Sequence, residues 1–398
     1  MSEDNSTMEN ASFRIALDGP SALALYRDRD NLAQTAQPTP SEQSGTVTID
    51  QDEYAYLSDE DIAATLANTN VFGGRPLDAL ATQGEEGMGI PELKRSQTAS
   101  FARCATRSRD LKLINYDAIG LTPPTPATPL YLMAPNSAAV RRVRNVHQRA
   151  CTSKLPANSL RLLGKNVLVP TPEFTFLLLA RHLKLPQLIM VGMELCGHYR
   201  MAGATTHALL KSNTTVYNCR QLTTPANLQS FLADVLNKPG AFPGSELAMR
   251  ACTYLAPNSA SPMESIIYLL LCLPQNLGGY ALPQPTLNAK RAVNSLAGSF
   301  TMSLTLIPDL YWSSARLDLE YDSDEFHSDP ESLQRGARRT MALRAMHVDV
   351  ISMTNDMVRD ENAFDATARL IARRLGKRIR TDNKNAPKKR SELRKLLL

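Results

Sequence analysis

The amino-acid sequence predicts an α/β protein in which a helix-rich α+β region precedes a C-terminal mixed sheet flanked by helices. Three observations predict it. Beyond Ser261 the periodicities run helix, hairpin, helix, strand, helix, the order in which helices cover a sheet. Near the middle, the apolar run Val167 to Val169 passes directly into PTPEFTFLLLA, a strand followed by a helix with its own start signal. With 43% hydrophobic and 21% charged residues, 398 residues are enough for two or three domains and a sizeable core.

The elements follow in order. FRIALDGPSALALYR reads as a short strand, a Gly19-Pro20 turn and a helix starting near Ser21. From Asp28 to about Arg95 the chain is polar, of a composition that buries little. Within it LSDEDIAATLANT is a helix capped by Ser58, with Glu60 and Asp61 in its first turn. TPPTPATPLYLMAP is a proline-studded approach to a strand, and VRRVRNVHQRA is a basic strand-like or helical piece. The Pro170-Thr171-Pro172-Glu173 turn opens a buried helix with its acid at the positive end. TPANLQSFLADVLN is a helix that ends near Lys238-Pro239-Gly240, and this Pro-Gly pair marks a domain boundary. A helix from about Pro262 to Leu273 is capped by Ser261. SLTLIPDLYW, a turn over Trp312 to Ala315, and ARLDLEYDS form a hairpin. An Arg-rich helix to about Met346, the strand HVDVISMT and a helix from Asn362 to about Leu375 complete the set. The expected division is a poorly defined N-terminal region with disordered or inserted segments over 1–100, an α+β middle domain over 101–240, the sheet domain over 241–380 and a basic tail over 381–398.

Composition excludes several classes. The start, MSEDNSTMENAS, is acidic and lacks the basic and apolar regions of a secretory signal. The most apolar stretch is interrupted by Arg181, His182 and Lys184, so no membrane span is expected and the location is expected to be cytoplasmic. Six cysteines without paired spacing are expected as reduced, mostly buried thiols, and no zinc-ligand spacing is present. The formal charge of +5 is a mild excess that does not by itself imply a polyanionic partner.

LDLEYDSDEFH, from Leu317 to His327, is the exception to this ordinary composition. Alternation sets Leu317, Leu319 and Tyr321 on one strand face and Asp318, Glu320 and Asp322 on the other, with like charges about 7 Å apart. This pattern suits either an edge strand with a solvated acidic face or a cation site. A hairpin brings Asp309 opposite or diagonal to Glu320, and a buried group of anions requires something positive. Hard oxygen ligands suit Mg²⁺ or Mn²⁺. Glu264, on the preceding helix, either completes a capping box with Ser261 or joins these acids.

The residues from SPMES through IPDLYW, LDLEYDSDEFH and RRTMALRAMHVDVISMT resemble the PD-(D/E)xK nuclease superfamily, in particular the small domains related to very-short-patch-repair endonucleases. The resemblance covers about the last third of the chain. It implies a restriction-endonuclease-like sheet, with Glu264, Asp309, Glu320, Asp322 and His327 as catalytic residues and Asp309 and Glu320 holding Mg²⁺ or Mn²⁺. Asp322 stands where the superfamily usually has lysine, Ser323 where it has glycine, and Gly336 where the related domains often have aspartate. VRRVRNVHQRA with VLVPTPEFTFLLLA resembles the middle part of AbiEi-type abortive-infection antitoxins, a family with a DNA-binding winged helix. The expected activity is metal-dependent hydrolysis of DNA phosphodiesters. The alternative is a non-catalytic DNA-binding or antitoxin-like regulatory protein on a degenerate nuclease fold. DNA is the expected partner, through Arg338, Arg339 and Arg344 on the helix after the hairpin and through the basic run from Arg373 to Lys395.

Overall fold

Ile15, Ala16 and Leu17 form β1 (Ile15–Leu17), and all three are fully buried because the strand is the middle of a sheet. The computed structural model describes residues 15–35, 101–104, 107–163, 166–202, 214–240, 242–322, 330–379 and 385–398. The chain divides into two units, residues 1–32 with 92–398 and residues 33–91, and the second is almost wholly outside the described residues. The helix expected at Ser58 falls there.

β1 leads into α1 (Gly19–Thr35). The sheet is completed by β2 (Leu130–Ala134), β3 (Val146–Ala150), β4 (Leu160–Leu163) and β5 (Val167–Pro170), in the order β3-β2-β1-β5-β4. β1 runs antiparallel to β2, with Ala16 opposite Met133, and parallel to β5, with Ile15 opposite Val167. Part of the supposedly ill-defined N-terminal region is therefore the central strand, and its partners lie far along the chain. VRRVRNVHQRA resolves into a loop and the strand β3.

Helices pack against this sheet. Thr171 caps α2 (Pro172–Leu179) by accepting from Phe174 N at 3.3 Å, and its residues from Phe174 to Leu179 are all buried. An all-round apolar helix of this kind belongs inside a core. α3 (Leu185–Leu195) is bolted to α1 by Arg27, whose Nε and Nη2 donate to the Glu194 carboxylate at 2.7 and 2.5 Å. A short ribbon of β6 (Tyr199–Arg200) and β7 (Val216–Tyr217) follows, then α4 (Pro225–Leu236) capped by Thr224, α5 (Ser245–Cys252) and α6 (Pro262–Cys272). One apolar cluster joins Leu228 and Leu232 of α4, Ala251 of α5 and Ile267 of α6 to Leu319 and Phe364 further on. Packing is thus continuous across Pro239-Gly240, where the sequence suggests a boundary. All six cysteines are free thiols, five of them buried.

The second sheet comprises β8 (Thr286–Leu287), β11 (Leu310–Trp312), β12 (Leu317–Asp322) and β13 (Asp349–Thr354), in the order β13-β12-β11-β8. Between them, β9 (Arg291–Ala292) and β10 (Thr305–Leu306) form a separate ribbon. β8, β11 and β12 are antiparallel neighbours, while β13 is parallel to β12 and is reached through the crossover helix α7 (Pro330–Ala345). The α/β class is therefore observed. Leu317 and Leu319 face the main core, whereas Tyr311 packs with Ala342, Leu343 and Val348 in a satellite cluster under α7.

After α8 (Glu361–Arg374), the basic end of the chain is a docked helix, α9 (Ala386–Leu397). Leu393 and Leu397 enter the main core. Arg394 donates to the carbonyls of Val358 and Arg359 and covers the Phe364 ring at 5.3 Å, and Arg390 lies 4.1 Å over Tyr280. Arginine stems pack while their planar heads bond, so Arg390 and Arg394 of the run expected on DNA are part of the packing. Gly278 makes room for it: at φ +96°, a Cβ there would lie 2.3 Å from the Lys389 carbonyl oxygen. No helix among the described residues is long and apolar enough to cross a membrane. Leu393→Ala is expected to lower the unfolding free energy of the full chain by about 2–5 kcal/mol in urea titration, whereas Lys395→Ala, exposed on the same helix, changes it by less than about 0.5 kcal/mol.

Candidate functional site

The hairpin register pairs Leu310 with Leu319, Tyr311 with Asp318 and Trp312 with Leu317. One step further along it sets Asp309 opposite Glu320, although Asp309 itself lies just outside β11, after Ile307-Pro308. Proline has no N–H to give to a ladder, so the strand begins after it. The Asp309 side chain substitutes for the missing rung, with Oδ2 accepting from Tyr321 N at 2.9 Å.

Glu264 arrives from the first turn of α6. Its N–H donates to the Ser261 hydroxyl at 3.1 Å, the expected cap, while its own Oε2 accepts from Ala260 N at 2.8 Å and from Asn288 Nδ2 at 2.6 Å. Asn288 sits in the left-handed region at φ 49°, a conformation asparagine tolerates better than most residues. Its backbone N–H donates to the Asp309 carbonyl at 3.0 Å, and its side chain also donates to Asn258 O at 2.8 Å. Asn288 therefore ties Glu264 to the Asp309 backbone. Ser261 caps the helix, but the Glu264 side chain bonds Ala260 N instead of Ser261 N, so the reciprocal half of the capping box is not formed.

The acidic face of β12 is covered. Asp318 is fully buried, between Tyr311 on β11 and Val350 on β13, and no N–H or O–H donates to either of its oxygens. Burial pushes its carboxyl up to about 10, followed in effect by the adjacent Glu320 carboxylate and by the charge of Asp309. Burial beside other carboxylates therefore favours the neutral form of Asp318. Burial also holds Asp309 well above the usual carboxylate range, reinforced by Glu320 and Glu264. Glu264 is raised by burial as well, against the lowering bonds from Ala260 and Asn288.

The positive charge at this cluster is Arg339 of α7. Its Nε and Nη2 grip the two Glu320 oxygens at 3.0 and 2.8 Å, Nη2 donates to Ile307 O at 2.5 Å, and Asp309 Oδ1 is 3.8 Å from Nη2. Arg339, expected to contact phosphate, is here engaged by carboxylates: buried acids require a counter-charge, and the helix turns this arginine toward them. Arg338 and Arg344 are exposed on the same helix. Asp322 closes β12 opposite Thr354, and His327 lies outside the described residues. The structure thus brings Glu264, Asp309 and Glu320 together. It adds Asp318, which alternation alone places on Glu320's face, and Asn288, for which the sequence carries no signal.

In kind, this donor set fits a hard divalent cation: it is all carboxylate oxygen, and both oxygens of Asp318 lack a donor from an N–H or O–H. As it stands the set is not closed into a cage, since among the described residues no group of three or more His, Cys, Asp or Glu side chains is arranged to hold a metal. Comparison with protein-family models, with curated proteins and with solved structures gives no match for this chain.

An acid kept neutral by burial stabilises the fold only while protons are available. With its carboxyl raised from the ordinary 3.8 to about 10, Asp318 contributes fully at low pH and loses that contribution as pH climbs between the two values. Asp318→Asn is expected to flatten the decline of unfolding free energy between pH 5 and pH 9 by at most about 1.4 kcal/mol per pH unit, the share of a single proton, as measured by urea titration at several pH values.

Proposed function

We propose that the C-terminal part of the chain is a divalent-cation-dependent phosphodiesterase acting on DNA, with Asp309, Glu320 and Glu264 as its acids. The observation that carries this reading is their convergence: residues from a helix start, a strand end and a neighbouring strand lie close enough that each raises or feels another's charge. The element order supports it as well, since α6, the β8-β11-β12 meander, α7 and parallel β13 follow the order of helix, strands, helix and strand that the nuclease resemblance implies.

Asp309 and Glu320 would hold Mg²⁺ or Mn²⁺, which supplies charge stabilisation at a phosphoryl oxygen and an activated water. The chain's own residues do the rest. Asn288 and the Ala260 N–H hold Glu264 in place, and Tyr321 N–H fixes one Asp309 oxygen while leaving the other toward Arg339. Arg339 presents a fork suited to phosphate as well as to carboxylate, so a substrate phosphate competes with Glu320 for it. Arg338 and Arg344 reach the flanking backbone, Asp322 assists at the strand end, and His327 serves proton transfer.

A specific observation favours a second reading, a non-cleaving DNA-binding or regulatory protein. Arg339 already holds both oxygens of Glu320, one of the two residues that would ligate a cation. Plasmid nicking separates the two. On the first reading Mg²⁺ or Mn²⁺ supports nicking that Asp309→Asn or Glu320→Gln lowers by about 10²-fold or more, and either metal raises the melting temperature of the parent but not of Asp309→Asn. DNA binding with neither nicking nor metal stabilisation would establish the second.

A further inference from the structure

We propose that the outer strand β3 and the loop leading into it form a second binding surface for the DNA backbone, on a different sheet from the acid cluster. From Ala118 to Pro172 the chain contains seven lysines and arginines and not one aspartate or glutamate. Against a formal charge of only +5 for the whole chain, this is a strong local excess. The fold gathers much of it at one edge. β3 is an end strand of its sheet, paired with β2 on one side only. Arg141, Arg142 and Arg144 are exposed in the loop before it, and His147 is exposed on the strand.

The loop is held in shape. Arg141 Nη1 donates to the Ala138 and Val140 carbonyls, Arg141 N to Gln148 Oε1 at 3.3 Å, and Val143 bridges to Val146. Asn145 turns the chain at φ 58° and presents its carbonyl to Leu130 N. Arginines on a braced loop lose less freedom on meeting phosphate than arginines on a loose one. A carboxylate that does reach this sheet, Asp18, is buried and engaged by Arg149 at 3.0 Å, which leaves Arg142 and Arg144 without an acidic partner among the described residues. Beside them Tyr131 and His147 stack with ring centroids 4.8 Å apart. Charge on an end strand also discourages unwanted strand pairing, but one or two charges of either sign suffice for that. A one-sign run of exposed arginines is instead the footprint of a polyanion, which gains affinity by releasing counterions.

The choice of DNA as the polyanion rests on the proposed function, and the test keeps the two apart. Binding of the full-length chain to a fluorescent DNA duplex is followed by anisotropy over a salt series, for the parent and for Arg142→Gln/Arg144→Gln. The variant is expected to bind about ten-fold more weakly, with a log–log salt slope shallower by about 0.9 for each phosphate that it no longer neutralises. Arg142→Lys/Arg144→Lys is expected to keep most of the affinity, and thermal unfolding of both variants to match the parent. Unchanged affinity and slope in the glutamine variant overturn this proposal alone, as does a variant that merely aggregates more while binding DNA normally. If the parent binds no DNA even at low salt, this proposal and the DNA reading of the acid cluster fall together. A duplex RNA of the same sequence, bound more tightly than DNA and with the same loss in the variant, would overturn the choice of DNA.

Discussion

The second sheet depends on neutralising carboxylates that its own pairing buries. β12 must turn Leu317 and Leu319 into the main core, and period-two geometry then forces Asp318 and Glu320 to the opposite face, beneath α7. That face is not open to water. Two responses follow from the cost of buried charge: the Asp318 carboxyl is pushed toward its neutral form, and Glu320 takes the Arg339 guanidinium on both oxygens. Much of the local architecture serves the same end. Arg339 also closes on Ile307 O, where proline has interrupted the strand, and so ties α7 to the turn that delivers Asp309. Asn288 performs the corresponding service from the other side, linking Glu264 on α6 to the Asp309 backbone.

Arginine has two distinct uses in this molecule. Arg27 locks α1 to α3 through Glu194, Arg394 satisfies carbonyls at the end of a short helical turn, and Arg339 balances the acids, all from inside the packing. The cations that remain outside are unevenly placed, with the braced loop before β3 and the outer face of α7 holding Arg142, Arg144, Arg338 and Arg344. Net charge sums the two uses and hides the distinction. A mild +5 is thereby compatible with surfaces that are strongly basic in particular places.

The local signals were legible. Ser261 caps the helix that the sequence assigns to it, and α2 and α4 start where the sequence places them, each behind a capping threonine, because a helix start depends on residues within three positions. The hairpin, its turn and the facing of Asp309 and Glu320 also followed from alternation and loop length. Less legible were the elements whose identity comes from distant partners. β1 is three residues long, and only Met133 and Val167 make it the centre of a sheet. The basic end reads only as a charged tail until Phe364, Tyr280 and Gly278 offer its arginines and leucines a surface.

By itself, then, the sequence determined the α/β class, the order of the elements, and which acids share a strand face, since each of these rests on periodicity or on near neighbours along the chain. The tertiary structure decided what those acids meet. Whether a carboxylate faces water, a proton or a guanidinium depends on which helix crosses above it, and that is a matter of long-range packing. Arg339 and Arg338 are adjacent in sequence and alike in chemistry, yet one lies against Glu320 and the other faces solvent, because about 100° of helix rotation separates them.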